Sequence, residues 1–134
     1  MSNILTMTSK RFSKSQRVLK NREYREIYNS SQRGGSAHFN YHILVYRQQR
    51  SRIGITVSKK VSKNAVDRNR IKRQVKEFYR LHQDQLTVGA VVITAKPSCG
   101  RANDIDRYAS LEHLWQKVLK WQSWHLRNNN EIEQ

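Results

Sequence analysis

The sequence has one cysteine, one proline and no long apolar run. A single thiol can form neither an internal disulfide nor a zinc cluster, which is typical of a protein from a reducing compartment. The longest near-continuous apolar run, residues 90–95, is far shorter than the ~20 residues of a membrane-spanning helix. Residues 1–9 lack the apolar segment of a signal peptide. We therefore expect a cytoplasmic protein, and a length of 134 residues predicts one domain.

Acidic residues are scarce, and the resulting positive charge is concentrated in one part of the chain. Lys and Arg number 26 against 10 Asp and Glu, which gives a formal net charge of +16. Residues 47–80 carry twelve basic and two acidic side chains, a net of +10, whereas residues 81–134 carry six of each. A surface that only maintains solubility mixes its signs. The block therefore predicts a polyanionic partner, with nucleic acid favoured over an anionic membrane surface.

Hydrophobic patterning predicts three strands. Residues 38–47 alternate, with Phe39 on one face and Asn40 and His42 on the other, and residues 52–58 form a second strand that should pair with the first as a hairpin. The intervening polar residues form a turn, and residues 30–36 are expected to form a loop. Residues 89–96 are rich in Val and Ile without alternation, which is typical of a buried central strand.

Three helices are expected around these strands. Asn21 can cap a short first helix that carries Tyr24 and Tyr28 on one face. Residues 64–81 form the clearest helix and connect two strands that should be parallel. Asp104 or Asp106 can cap a last helix, whose buried face is predicted at helical spacing: Leu111, Leu114, Trp115 and Val118. The order is helix, strand, strand, helix, strand, helix, a small α+β sandwich.

The helix over residues 64–81 has one apolar stripe and one cationic face. Ile71, Val75, Phe78 and His82 fall on the stripe, while the opposite side carries Asn69, Arg73, Lys76 and Arg80, flanked by Arg70 and Lys72. The planar donors of arginine match phosphate bidentately, and lysine acts as a point charge. An ordinary solvated face is the alternative interpretation, but the helix has only two acids for pairing. The pattern favours nucleic-acid binding.

Two adjoining segments carry a resemblance to a known family. Residues 52–60 (RIGITVSKK), followed by residues 64–73 (NAVDRNRIKR), resemble the ribonuclease P protein family, which has Arg-Asn-Arg on the helix after a strand ending in Ser-Lys-Lys. Residues 21–28 resemble the family's first helix, residues 90–97 its last strand and residues 111–119 its last helix. The likeness covers about residues 18–120.

This resemblance implies a function. The partner would be a catalytic RNA that uses Mg²⁺ to cut the 5′ leader from precursor tRNA, while the protein, monomeric in the complex, assists without catalytic residues of its own. The resemblance also implies a strand–helix–strand crossover of left-handed sense, against the usual rule. The domain would span residues 18–127, between a basic flexible arm at 1–17 and a frayed tail at 128–134.

Family positions transfer to this chain as two groups. The basic group would contact the RNA subunit: Lys59, Lys60, Lys63, Arg68, Asn69, Arg70, Lys72, Arg73 and Lys76. Asn69 would also lie near metal ions, in indirect contact. The second group would line a cleft for the single-stranded leader, with tyrosines that stack on unpaired bases: Tyr24, Tyr28, Asn40 and His42. The tyrosines could instead be core residues.

Two other classes remain open. A plain RNA-binding module would bind RNA without taking part in cleavage. A DNA-binding protein would insert the basic helix into a major groove, although no partner helix of a helix-turn-helix precedes residue 64. We find no protein-borne active site, because Cys99 has no evident base partner and the histidines have no metal-ligand spacing.

Overall fold

The computed structural model describes residues 32–45, 52–86 and 89–133. Within these ranges the chain forms four strands and two α-helices: β1 (Gln32–Gly35), β2 (Phe39–Val45), β3 (Arg52–Thr56), α1 (Ala65–His82), β4 (Gly89–Ala95) and α2 (Asp104–Glu133). Short 3₁₀ turns follow α1 and β4, at Gln83–Gln85 and Pro97–Gly100. The predicted N-terminal arm and first helix, with Tyr24 and Tyr28, lie outside the described residues.

The strands form one sheet in the order β1-β2-β4-β3. β2 is antiparallel to β4, with Phe39 opposite Ala95, and β3 is parallel to β4, with Arg52 opposite Ala90. The central place of β4 and its parallel pairing with β3 across α1 are therefore confirmed. In contrast, the predicted hairpin of the two preceding strands is wrong, because β4 lies between them. The buried backbone of β4 needs hydrogen-bond partners at both edges, and β2 and β3 supply them.

β1 corrects the loop predicted for residues 30–36. Its residues are glycine and polar types, which resemble a loop locally, but they pair antiparallel with β2 from Gln32 opposite Ile43 to Gly35 opposite Asn40. Gly34 is required at this edge, because a Cβ there would lie 2.6 Å from the hydroxyl oxygen of Tyr41. The absence of a side chain lets the tyrosine ring cover the edge strand.

Both helices pack on one face of the sheet. The core takes Phe39, Tyr41 and Ile43 from β2 and odd-numbered residues from β3 and β4. The predicted stripes of both helices are buried at Ile71, Val75 and Phe78 in α1 and at Leu111, Leu114, Trp115 and Val118 in α2. His82, also predicted on the α1 stripe, is only half-buried, because it lies at the last residue of the helix. Tyr79 is also fully buried, and its ring meets Trp115 edge-on at 6.3 Å. None of the helices in the described ranges is long and apolar enough to cross a membrane.

Asparagines start both helices. Asn64 accepts a hydrogen bond from the Val66 N–H at 2.9 Å and caps α1. Asn103 accepts one from the Asp106 N–H at 2.7 Å, so Asn103 is the cap of α2 and the prediction of Asp104 or Asp106 is wrong. Asparagine and aspartate are equivalent caps on chemistry alone, so the sequence did not distinguish them. The backbone of α2 stays helical over residues 128–133, where a tail was predicted.

Candidate nucleic-acid interface

The outer side of α1 presents a cationic face. Buried Ile71 and Val75 fix the rotation of the helix against the core. Of the residues predicted on the opposite side, Asn69, Arg73 and Lys76 are exposed, whereas Arg80 is half-buried. Arg70, predicted on the flank, is also exposed, and Arg68 and Lys72 are half-buried. We call six of these residues the α1 cationic face: Arg68, Asn69, Arg70, Lys72, Arg73 and Lys76.

Few acids neutralise this face. Glu77 is taken by Arg80 in an ion pair of 2.6 Å, and the hydrogen bond from that guanidinium lowers the pKa of Glu77. Asp67 accepts a hydrogen bond from the Ser62 hydroxyl at 3.3 Å. Within the described ranges, no ion pair joins an acid to the α1 cationic face. The α1 cationic face therefore keeps a positive potential that can attract an anionic partner. The charge of Arg80, in contrast, is neutralised by Glu77 on the same helix.

Three exposed lysines precede α1 in a turn, Lys59, Lys60 and Lys63, which we call the lysine loop. Val61 is buried in its middle. Gly100 makes this packing possible, because a Cβ there would collide with the Val61 carbonyl oxygen.

The guanidinium of Arg68 joins the lysine loop to α1. It donates a hydrogen bond to the Ser62 carbonyl at 2.9 Å. The lysine loop and the first turns of α1 are therefore tied together, as an extended binding surface requires.

Of the second predicted group, Asn40 and His42 lie on the other face of the sheet. Phe39, Tyr41 and Ile43 point into the core, so Asn40 and His42 point away from it, as the alternation predicted. The register places Asn40 beside Thr94, and Thr94 accepts a hydrogen bond from the Thr56 hydroxyl at 2.9 Å. This arrangement forms a polar row across three strands.

His42 lies in the next row of that face. It is paired with Arg33 on β1. Burial, and then the positive charge of Arg33, lowers the pKa of His42 below its usual value. The ring therefore favours its neutral form at neutral pH.

Three other reactive side chains of the described residues, Cys99, His82 and His38, make structural contacts. Cys99 is fully buried, and burial raises the pKa of its thiol to about 11, which opposes thiolate chemistry. His82 stacks on Phe78 at 4.1 Å and hydrogen-bonds the Phe78 carbonyl at 2.7 Å. His38 hydrogen-bonds the Ser98 hydroxyl at 2.9 Å. In the ranges that the structure describes, no three acidic, histidine or cysteine side chains gather as metal ligands.

Arg107 is a residue that sequence reasoning missed. It is only 6% exposed and donates to the Gln74 side-chain oxygen at 2.9 Å and to the Ala102 carbonyl at 2.5 Å. It also pairs with Asp104 on its own helix. These bonds join α1 to the start of α2 and to the turn before it. The only signal in the sequence is an Asp and an Arg three residues apart at a helix start.

These features define a small α+β protein with a cationic helix face suited to a polyanion. Residues 12–119 match the sequence model of the family described as Ribonuclease P. A protein of Desulfosudis oleivorans named "Ribonuclease P protein component" is 43% identical over 112 residues, which cover 83% of this chain and 92% of that protein. A protein of Vibrio cholerae with the same name is 32% identical over 114 residues, with 85% and 97% covered.

A solved structure agrees with these sequence relatives. The RNase P protein of Staphylococcus aureus superposes with a TM-score of 0.74 at 27% identity, over 78% of this chain and 96% of that chain. The chain therefore belongs to the ribonuclease P protein family. Its role is that of the protein subunit of an endonucleolytic tRNA-processing enzyme, and membership implies a partner RNA subunit.

Proposed function

We propose that this chain docks on a catalytic RNA through the α1 cationic face and the lysine loop, and helps that RNA to remove the 5′ leader of precursor tRNA in the cytoplasm. The observation that carries the proposal is the face itself, where Arg70, Arg73 and Lys76 are exposed without an ion pair among the described residues. Each such cation can neutralise a phosphate and release a counterion, which drives binding at low salt.

The contribution of the protein to cleavage would be electrostatic. Catalytic RNA and precursor tRNA are both polyanions, so they repel each other where they meet. A monomeric protein of net charge +16 between them lowers that repulsion. Hydrolysis would be carried out by the RNA, and the residues of this chain would bind and orient the two RNAs.

Mg²⁺ is the metal that the family resemblance implies. Asn69 is exposed next to Arg68 and Arg70 in the sequence, and it offers one neutral amide oxygen. Such a group fits a water molecule of a hydrated Mg²⁺ held by RNA, and does not fit a metal site built by the protein alone. When bound, the metal would stabilise the attacking and leaving oxygens of hydrolysis.

The leader would lie along the half-buried polar row of Asn40, Thr94 and Thr56, on the face of the sheet opposite the core, where Ala90 and Val92 are buried. Asn40 and the polar row beside it offer hydrogen-bonding groups to a single strand, and Tyr24 and Tyr28 would add stacking.

Asn40→Ala should weaken the binding of a leader-bearing precursor to the complex of protein and RNA subunit more than it weakens the binding of mature tRNA. Filter binding measures both affinities. A variant on α1, Arg70→Ala, serves as the control and should weaken both. Equal losses for the two ligands in Asn40→Ala would contradict the leader assignment.

The first experiment is cleavage of a precursor tRNA at low Mg²⁺ by a bacterial ribonuclease P RNA, with and without this protein. We expect cleavage at the leader junction that depends on the protein, and no cleavage by the protein alone. Unchanged RNA activity despite tight binding would favour the plain RNA-binding module. Cleavage by the protein alone would show that the active site belongs to the protein.

A further inference from the structure

A groove between α1 and α2 adjoins the α1 cationic face and is not explained by it. The groove has a volume of about 310 Å³, at the lower end of ligand pockets at roughly 300–1,000 Å³. Its apolar and aromatic lining residues are Phe78, Leu81 and Tyr108, which we call its floor. Arg70, Arg73 and Glu77 also line it, and we call these charged residues its rim.

Tyr108 is unusually exposed for its position in α2. It lies three residues before Leu111 and continues the apolar stripe toward the start of the helix. Its side chain is nevertheless 42% exposed, and Leu81 across the groove is 41% exposed. The tyrosine ring meets Phe78 edge-on, with centroids 5.6 Å apart and planes at 71°. Packing on Phe78 thus holds the ring while part of it remains available to a partner.

The rim of the groove carries a net positive charge, because each acidic residue that lines the groove is paired with an arginine. Glu77 is paired with Arg80, and Asp104 is paired with Arg107. Arg70 and Arg73 have no ion pair within the described ranges. The groove therefore combines an aromatic floor with unneutralised arginines, which is the combination that holds an unpaired nucleotide by its base and its phosphate.

We infer that this groove binds an unpaired base of the RNA subunit, with the base on Tyr108 and its phosphate between Arg70 and Arg73. The inference rests on the proposed function, since it names a contact within the same RNA interface. A nucleotide is favoured over an apolar protein segment because the groove is continuous with the α1 cationic face and shares Arg70 with it.

Tyr108→Ala in the full-length protein tests this inference through RNA-subunit binding. Loss of one base stack should weaken binding about 5- to 150-fold. The slope of log K against log salt should not change, because no charge is removed. Tyr108→Phe should restore binding, since it keeps the ring. Arg73→Ala should weaken binding and flatten the slope by about 0.7–0.9.

A leucine variant and a cross-linker distinguish a loss of base stacking from a loss of folding at Tyr108. Tyr108→Leu keeps an apolar contact on Phe78, so it should fold like the unmodified protein in thermal melts yet bind RNA as weakly as Tyr108→Ala. A photoreactive phenylalanine analogue at position 108 should cross-link to one single-stranded RNA site in the complex.

Three results would overturn the inference while the proposed function stands: normal RNA binding by Tyr108→Ala, equal loss in Tyr108→Phe, or no cross-link to RNA. If the unmodified protein failed to bind or stimulate the RNA at all, the proposed function and this inference would both be wrong. A cross-link to another protein would identify the occupant as a polypeptide and overturn the inference as well.

Discussion

The buried Arg107 side chain holds the two helices that border the groove in their relative positions. Its guanidinium is satisfied by Gln74 of α1, by the Ala102 carbonyl and by Asp104. It thereby fixes where the start of α2 lies relative to α1, and the groove between the two helices depends on that placement.

Arg107→Met should lower the free energy of unfolding by about 1–3 kcal/mol, because it leaves the partly buried acceptors of Gln74 and Ala102 without a donor. Urea unfolding followed by tryptophan fluorescence measures the change. Arg101→Met is the matched control, since Arg101 is exposed, and it should stay within about 0.5 kcal/mol of the unmodified protein. Equal effects of the two substitutions would show that the bonds of Arg107 add nothing to stability.

The Cys99 thiol should make the free energy of unfolding depend on pH in the alkaline range. Its pKa is about 11 in the folded chain, raised from 9.0 by burial. The unfolded chain therefore loses the proton first, so the contribution of this thiol is present below pH 9 and is lost as pH rises toward 11. Cys99→Ala should show a shallower decline in that window when urea midpoints are compared. Parallel declines would mean that the thiol titrates alike in both states.

At the scale of elements, one side of α1 packs in the core and the opposite side presents the α1 cationic face. The side with Ile71 and Val75 is buried in the core, while the α1 cationic face makes no ion pair among the described residues. Substitutions on the outer side should therefore change binding with little change in stability.

The double variant Arg68→Ala, Arg70→Ala should bind the RNA subunit more weakly. It should also reduce the slope of log K against log salt by about 0.7–0.9 for each phosphate that is no longer neutralised. Fluorescence anisotropy over a salt series measures both. Arg80→Ala is the control on the same helix, and it should leave the slope almost unchanged because Arg80 is already paired with Glu77. An unchanged slope in the double variant would place the docking surface elsewhere.

The elements themselves were largely predictable, because each is specified by local periodicity. The stripe of α2 through Leu111 and Trp115, and the unbroken Val and Ile of β4, appear in the sequence as they appear in the core. Strand pairing was predictable only in part: the parallel pairing of β3 with β4 was predicted, whereas adjacency in sequence wrongly suggested a hairpin of β2 and β3. β1 was missed because an edge strand is held by backbone bonds, which leave no side-chain pattern.

The candidate site divides in the same way. The α1 cationic face follows from helical spacing and charge alone. Arg107 and Tyr108 acquire their roles only when the start of α2 meets α1, and no local pattern encodes that approach. Asn40 and His42 are intermediate, because alternation places them on the face opposite the core but does not show what that face contacts.

At the scale of the whole molecule, the net charge of +16 should make the free protein more stable as salt is added. Self-repulsion of the cations opposes the compact state, and screening at about 0.15 M ionic strength shortens its range to about 8 Å. Thermal melts over a series of NaCl concentrations should show a rising midpoint. A falling midpoint would mean that attractive ion pairs dominate the folded state.

The central position of β4 also orders events during synthesis. β3 has β4 as its partner in the sheet, and β4 follows it in the chain by way of the whole of α1. A growing chain therefore completes the arginine-rich helix α1 before β4 is available to pair with β3. Until β4 is made, the backbone groups at the edge of β3 lack their partner. For this fold, the last strand made is the one on which the others assemble, so a chain that stops short of residue 95 has its cations but not the sheet that supports them.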